Sequence, residues 1–369
     1  MQTIISGNGD WKKTLVVVFL RGGADGINMV APVGDDSFHS LRPNSEAAKG
    51  NGVALDGFFS LHPQLRPLLR AFKDGDLAVI HGTGSEDDTR SHFEAQDLME
   101  HGGLVAGGWL GRFLRNLPHE ALGPLAAVAL GKSMPESLRG APSTSVFEKL
   151  SDFSLPDRHL RFRRALEKLY TSEQGSLFSS AKDTFDAISR IESLNKDHYT
   201  PANDARYGRY PFAQGMLQLA QLIKADVGAL GATIDLQGWD SHLNQENLMV
   251  PRMKQLGETL EAFHQDLGKR MKDVTVVVMT EFGRRVSENT AFGTDHGRAS
   301  AMFVMGQSIR GGKVISDWKG LKEDQLEGPG DLPVTINYRN VLSPILNLHG
   351  LENVQDVFPD FPLAPVALV

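Results

Sequence analysis

The 369-residue chain contains no cysteine. Disulfides, thiolate zinc sites and cysteine nucleophiles are thereby excluded together. Long apolar runs are missing too, none approaching the roughly 20 residues that span a bilayer. The most apolar stretch near the start, Thr14 to Leu20, is strand-length and follows two lysines. It is too short for a signal-peptide core, and no small-residue cleavage site follows it. The sequence as it stands reads as cytoplasmic, whereas a processed periplasmic or secreted form would read the same way. An excess of positive charge is the third absence. The net charge is -7, while a nucleic-acid footprint calls for Lys and Arg clustered on one face. The densest basic stretch, Arg158 to Lys168, alternates with apolar residues at helical spacing and reads as a solvated helix face. No nucleic-acid partner is expected, and nothing in the composition sets the oligomeric state.

What is present is ordinary globular material, 41% hydrophobic and 22% charged, enough for a sizeable core. Thr14 to Leu20 is β-branched and bounded by Arg21-Gly-Gly, the pattern of a buried central strand in a parallel sheet. Similar runs recur at Leu77–Ile80, Pro124–Leu130, Ala232–Leu236, Val274–Met279 and Ala301–Met305. Helical patterns lie between or after them at Leu61–Phe72, Ser91–His101, Leu256–Met271 and Asn340–His349. Alternation of this kind predicts an α/β fold with a mostly parallel sheet covered on both faces. The stretch 151–229 breaks the alternation and reads as a mainly helical insertion in a single domain spanning 1–369.

Ligands of open α/β sheets gather at the carboxyl ends of the strands, and polar clusters follow several of the predicted strands. Arg21 to Asn28 follows the first strand. Its glycines permit a sharp turn, and Asp25 reads either as a hard oxygen ligand for a metal or as a cap on its own turn. Asp87 to Glu94 opens a helix. Ser91 with Glu94 three residues on forms a capping box, yet a hydroxyl in the positive field of a helix start also suits a nucleophile. Asp235 to His242 places Asp240 and His242 on one loop, with Trp239 expected to wall off water. Thr280 to Arg285 leaves the next strand. Gly293 to Gly297 carries Asp295 and His296 between glycines, and carboxylate with imidazole suits a divalent ion such as zinc or manganese. Among the other histidines, His62 and His81 are candidates to line the crevice. His349 reads as a cation at the end of the last helix.

The ordered set Phe19–Gly26, Thr89–Gln96, Gly238–His242, Glu281–Arg284 and Gly293–Gly297 closely resembles the bacterial family catalogued as domain of unknown function 1501. The resemblance runs from about Leu15 to Gly350. That family is similar to the alkaline phosphatase and sulfatase superfamily. The resemblance implies a three-layer α/β/α fold, one or two divalent ions (zinc, manganese, calcium or magnesium), and a hydroxyl nucleophile at a helix start. Carried over, Asp25 is the strand-one ligand, Ser91 the nucleophile, Asp295 and His296 complete one metal site, and Asp240 with His242 begin a second. The pattern departs from the superfamily in two places. No histidine lies between His296 and His349, and the spacing from Asp240 to His242 is tighter than usual, which leaves Glu281 or Asp235 as substitutes. Cysteine is absent and Ser91 lacks the usual conversion motif, so a formylglycine sulfatase is not expected.

These features together predict a metal-dependent hydrolase of phosphate or sulfate esters. Ser91 or a metal-activated water is the expected nucleophile, and Arg90, Arg21 or Arg284 pairs with the anion. The expected partner is an anionic small-molecule or glycan ester. Two other readings fit the same residues: a non-catalytic metal-containing binder of an anionic glycan or lipid head group, and a phosphomutase carrying phosphoserine at Ser91.

Overall fold

The computed structural model describes residues 13–118, 122–152 and 199–369, with residues 165, 168, 169, 185, 188, 189, 191 and 192 between them. The chain enters along β1 (Thr14–Arg21) and turns through α1 (Gly26–Met29). A small three-stranded sheet follows, made of β2 (Val30–Ala31), β3 (Val53–Ala54) and β4 (Ser60–Leu61), with α2 (Asp36–Leu41) between β2 and β3. Next come α3 (Leu69–Lys73), β5 (Leu77–Gly84), α4 (His92–His101), α5 (Trp109–Arg115), β6 (Ala127–Leu130) and β7 (Ser145–Phe147). The second half supplies α6 (Pro211–Lys224), β8 (Gly231–Gln237), α7 (Gln245–Leu267), β9 (Val274–Met279) and β10 (Ser300–Met305). It closes with β11 (Lys313–Ile315), β12 (Ile336–Asn337) and α8 (Tyr338–Leu348).

The large sheet has nine strands in the order β11-β5-β10-β9-β1-β8-β6-β7, with β12 also paired to β5. Every pairing that avoids β10 is parallel, and β10 runs antiparallel to both its neighbours. The α/β class and the mostly parallel sheet expected from the sequence are what the structure has. The single reversal matters for function. The start of β10 lies at the same edge as the ends of β1, β8 and β9, so the segment before β10 joins the loops after those strands.

Alternation along β1 divides the core. Val16, Val18 and Leu20 pack with α6 and α7 residues such as Met216, Leu219, Leu256 and Phe263 on one face. Leu15, Val17 and Phe19 pack with Trp109 and Phe113 of α5 and with Val341 and Ile345 of α8 on the other. Two helical layers therefore enclose the sheet. Leu15 and Val16 are fully buried, and truncating a side chain like Leu15 to alanine costs about 2–5 kcal/mol.

Several boundaries differ from the sequence reading. The helix expected over Leu61–Phe72 is instead β4, a 3-10 stretch over Pro63–Leu68 and the short α3. Pro63 and Pro67 remove backbone donors there. Helix α7 begins at Gln245 rather than Leu256 and tolerates Pro251, because Met249 and Met253 anchor its first turns in the core. It stops at Leu267, before Gly268 with its positive φ, and the remainder to Asp273 is 3-10. Nearly half of the insertion expected over 151–229 falls outside the described residues, and the described part contributes α6. No helix among the described residues is long and apolar enough to cross a membrane.

Candidate metal centre

Two close backbone approaches bring the loops together. Gly22, just after β1, has φ +120 and lies where a Cβ would sit 2.6 Å from the Asp240 nitrogen. A Cβ on Gly293 would sit 2.2 Å from the His242 carbonyl carbon. Glycine is required at both places, and the loops bearing Asp240, His242, Asp295 and His296 meet as a result.

His92 opens α4, with its Nδ1 2.8 Å from the Glu281 carboxylate. Glu281 also accepts from the Gly22 N–H at 2.9 Å and the Gln96 amide at 2.8 Å. Burial opposes its charge, but hydrogen bonds from His92, Gln96 and the Gly22 N–H outweigh it and hold the carboxyl below the usual range. An ionised carboxylate only accepts, so Nδ1 of His92 is the donor in that bond, and the neutral ring has its lone pair at Nε2. That Nε2 is buried without a hydrogen bond and lies 3.6 Å from Asp240 Oδ2. His296 is arranged in the same way. Its Nδ1 lies 2.8 Å from the Arg90 carbonyl, leaving Nε2 directed at Asp240 Oδ1, 3.5 Å away. Phe282 braces both rings, with centroids 4.8 Å from His92 and 4.9 Å from His296.

Donor atoms of His92, Asp240 and His296 thus lie within 4.8 Å of one another. His242 joins the rim, its Nε2 2.9 Å from His296 Nε2 and 3.2 Å from Asp240 Oδ1. Two imidazole nitrogens at that distance repel as bare lone pairs; one must carry a proton or both must face a cation. Behind His242, Asp295 Oδ1 lies 3.5 Å from Nδ1. Asp295 is held low by hydrogen bonding from Asn289, with His242 and the charge of Arg285 adding to it. Burial disfavours the Asp240 charge, yet the hydrogen bond and charge of Arg284, with His242 and His92, keep it ionised well into acid. Burial lowers His296, helped by the charges of Arg284, His92 and His242 and opposed by its bond to Arg90. An ionised carboxylate beside imidazole nitrogens, with burial biasing His296 toward its neutral form, is a donor set suited to zinc or manganese. The carboxylate and carbonyl on the far nitrogens are the outer partners that orient metal-binding histidines.

The other residues singled out from sequence are placed differently. Asp25 is buried and contributes no donor atom to this group. Its oxygens accept from Arg42 at 2.6 and 3.2 Å, from Gln245 at 2.6 Å and from the Asn28 N–H at 3.3 Å. Arg42, with Gln245 and the Asn28 N–H, keeps its carboxyl ionised despite full burial. Asp25 caps α1, the turn role that is one of its two sequence readings. Arg284 is buried, donating to the carbonyls of Gly22, Gly23, Thr294 and Trp239 and to Asp240. It clamps these loops from a buried position. Arg21 is taken up by Glu100, Asp235 and Gln96. Arg90 donates to the His296 carbonyl and Asp331. Ser91 is the exposed cap of α4, accepting weakly from the Glu94 N–H at 3.5 Å. The capping box is half formed, since the Glu94 carboxylate turns to Thr89 instead. Ser91 nonetheless sits between Arg90, whose carbonyl holds His296, and His92.

The residue that the sequence reading passed over is His92, quoted within its motif and given no role. The usable signal was its place directly after a helix cap, in a segment already suspected. His62 and His81, considered as crevice residues, stand elsewhere: His62 pairs with Glu246 at 2.7 Å, and His81 stacks on Phe59 and meets Trp318 edge to face. His349 is a correction. Burial pushes it down to about 3, with Lys13 adding to the effect, so it is a neutral partner of Thr275 and not a cation at the helix end. His119, His159 and His198 lie outside the described residues.

The fold and the centre define an α/β protein with a His/Asp constellation at the carboxyl-end edge of its parallel strands. Residues 12–359 match the family described as "Protein of unknown function (DUF1501)", and the chain belongs to it. No curated protein matches. Solved structures that match include the C-terminal periplasmic domain of EcEptC from Escherichia coli in complex with Zn. It is 11% identical over 80% of this chain and 73% of that one, with a TM-score of 0.35. A protein in the alkaline phosphatase superfamily from Vibrio parahaemolyticus is 12% identical over 95% and 71%, with a TM-score of 0.39. Ps i-CgsB in complex with k-i-k-neocarrahexaose is 8% identical over 94% and 74%, with a TM-score of 0.41.

Proposed function

We propose that this protein is a metal-dependent hydrolase of phosphate or sulfate esters, with a divalent ion held by His92, Asp240 and His296 and with His242 beside them. The observation that carries the reading is the pair of imidazoles whose Nδ1 atoms are tied to acceptors while both Nε2 atoms face one ionised carboxylate. A bound divalent ion supplies charge that polarises an ester oxygen and makes a hydroxyl or water easier to deprotonate.

The chain's own residues supply the rest. Ser91 presents a hydroxyl at the start of a ten-residue helix, flanked by residues of the centre, where the helix field favours an anion. In the covalent route its oxygen attacks phosphorus or sulfur, the ester alcohol leaves with the electron pair, and water then clears the esterified serine. In the direct route, water attacks in its place. Arg285 reaches Asp295 with one nitrogen at 3.5 Å and its side chain is 34% exposed, so its guanidinium is placed to pair with the anion. Phe93, Leu243 and Phe292 are exposed beside these residues and favour an ester whose alcohol is apolar on one side.

The test is elemental analysis of purified protein beside Asp240→Ala, with hydrolysis of nitrophenyl phosphate, a phosphodiester and a sulfate ester assayed on the same samples. Bound metal and cleavage of one ester, both lost in the variant, support the proposal. Metal retained without turnover of any ester would move the protein to the binding role. Wild-type turnover by Asp240→Ala would remove the centre from the mechanism.

A further inference from the structure

Beneath the centre lies a buried chain of polar groups that no ligand-binding role explains. Gln245, at the first turn of α7, accepts two hydroxyls on Oε1: Ser241 Oγ at 2.9 Å and Thr294 Oγ1 at 2.5 Å. Its Nε2 donates to Asp25 Oδ2 at 2.6 Å. Ser241 and Thr294 are fully buried, and Asp25 and Gln245 nearly so. Ser241 stands between Asp240 and His242, and Thr294 directly precedes Asp295 and His296. One amide therefore grips both loops of the centre at their roots.

We infer that Gln245 is a positioning residue for the centre, and that Asp25 acts through it rather than as a ligand. The chemistry requires an amide at this point. Two hydroxyls need an acceptor and Asp25 needs a donor, and a carboxamide offers both from one planar group. Which face accepts is decided by Asp25: its carboxylate, kept charged by Arg42, can receive only the NH2 end. The carbonyl end is thereby directed at Ser241 and Thr294. Backbone contacts reinforce the grip, since the Thr294 N–H donates to the Ser241 carbonyl at 3.0 Å and the Gln245 N–H to the Phe292 carbonyl at 2.9 Å. Asn289 adds a second tie, donating to the His242 carbonyl at 2.9 Å and to Asp295 at 3.3 Å. Asp240 and His296 thus reach binding distance without either side chain touching Gln245. The inference rests on the metal-site reading proposed above.

The test is zinc titration calorimetry on chelator-stripped full-length protein, with cobalt(II) absorption spectra on the same samples. The set is the parent, Gln245→Leu, Ser241→Ala, Thr294→Val and Asp25→Asn. Gln245→Leu is expected to keep one site and bind about 10–100-fold more weakly, the range for lost outer partners of metal ligands, with a shifted cobalt spectrum. Ser241→Ala and Thr294→Val each remove one hydroxyl and weaken binding in the same direction by less. If Gln245→Leu fails to fold, those two variants carry the test. Parental affinity and an unchanged cobalt spectrum in both hydroxyl variants would overturn the inference. So would complete loss of the site in Asp25→Asn with both hydroxyl variants unaffected, which would make Asp25 a ligand. A parent that binds no zinc overturns the metal-site reading along with it, whereas equal binding by parent and variants overturns only this step.

Discussion

The molecule holds two carboxylate-centred polar groups side by side, and they are built in opposite ways. Around Asp25 every acceptor is met: Arg42, Gln245 and the Asn28 N–H surround the carboxylate. Around Asp240 the donors are incomplete. Arg284 takes one oxygen, and the other faces a buried imidazole nitrogen with no hydrogen bond. A closed network specifies a fold, because each buried group is already compensated. An open one, with lone pairs converging on a carboxylate, is compensated when a cation arrives. An orphaned nitrogen alone does not make a site. His81 and His349 each leave one as well, but neither sits in a group of converging metal-binding donors among the described residues, and burial keeps both rings neutral.

This contrast can be broken in several places. The largest effect belongs to the open group. Asp240→Ala or His296→Ala is expected to lower ester turnover by about a thousand-fold, or about 4 kcal/mol of transition-state stabilisation, with a folded protein by circular dichroism. Next is the closed group. Arg42→Met leaves the Asp25 charge buried and unpaired, and is expected to cost about 3–5 kcal/mol in urea denaturation. Acid acts on the neutral core histidines. His81 is pushed down to about 4 by burial and His349 to about 3 by burial and Lys13. The stability tied to His81 is complete above its unfolded value near 6.5 and is lost as pH falls toward 4. It amounts to roughly 3 kcal/mol, and a flatter stability profile for His81→Gln between those values would check it. Glu281→Gln keeps the shape but weakens the hold on His92, and zinc titration should show affinity reduced about 10–100-fold. The smallest effect sits at Phe292, whose φ of 58 is strained for a bulky residue. Phe292→Gly should raise thermal stability by about 0.5 kcal/mol and leave zinc affinity unchanged.

Much of the scaffold could be read from the chain. Val274–Val278 is an uninterrupted β-branched run, and with Met279 it forms a strand with the expected bounds. The strands that escaped are short: β7, β11 and β12 at or near the edge of the large sheet, and β2, β3 and β4 of the small one, whose two or three residues carry no periodicity. The reversal of β10 also left no local mark, because buried parallel and antiparallel strands share one composition. At the site, glycine-flanked Asp240, His242, Asp295 and His296 were legible, and their loops do meet. Asp25 was ambiguous for a physical reason. An aspartate after two glycines suits a ligand or a cap equally, and Arg42 and Gln245, which decide between them, lie 17 and 220 residues away. His92 was hidden for the converse reason. Its meaning comes from Glu281, 189 residues on, and a capping motif already accounted for its neighbours.

The most direct test of the metal centre is zinc titration of chelator-stripped protein beside its His92→Ala variant. One zinc bound by the parent and none by the variant, at equal thermal stability without metal, is the predicted result. Undiminished binding by His92→Ala, or no binding by the parent, would contradict it.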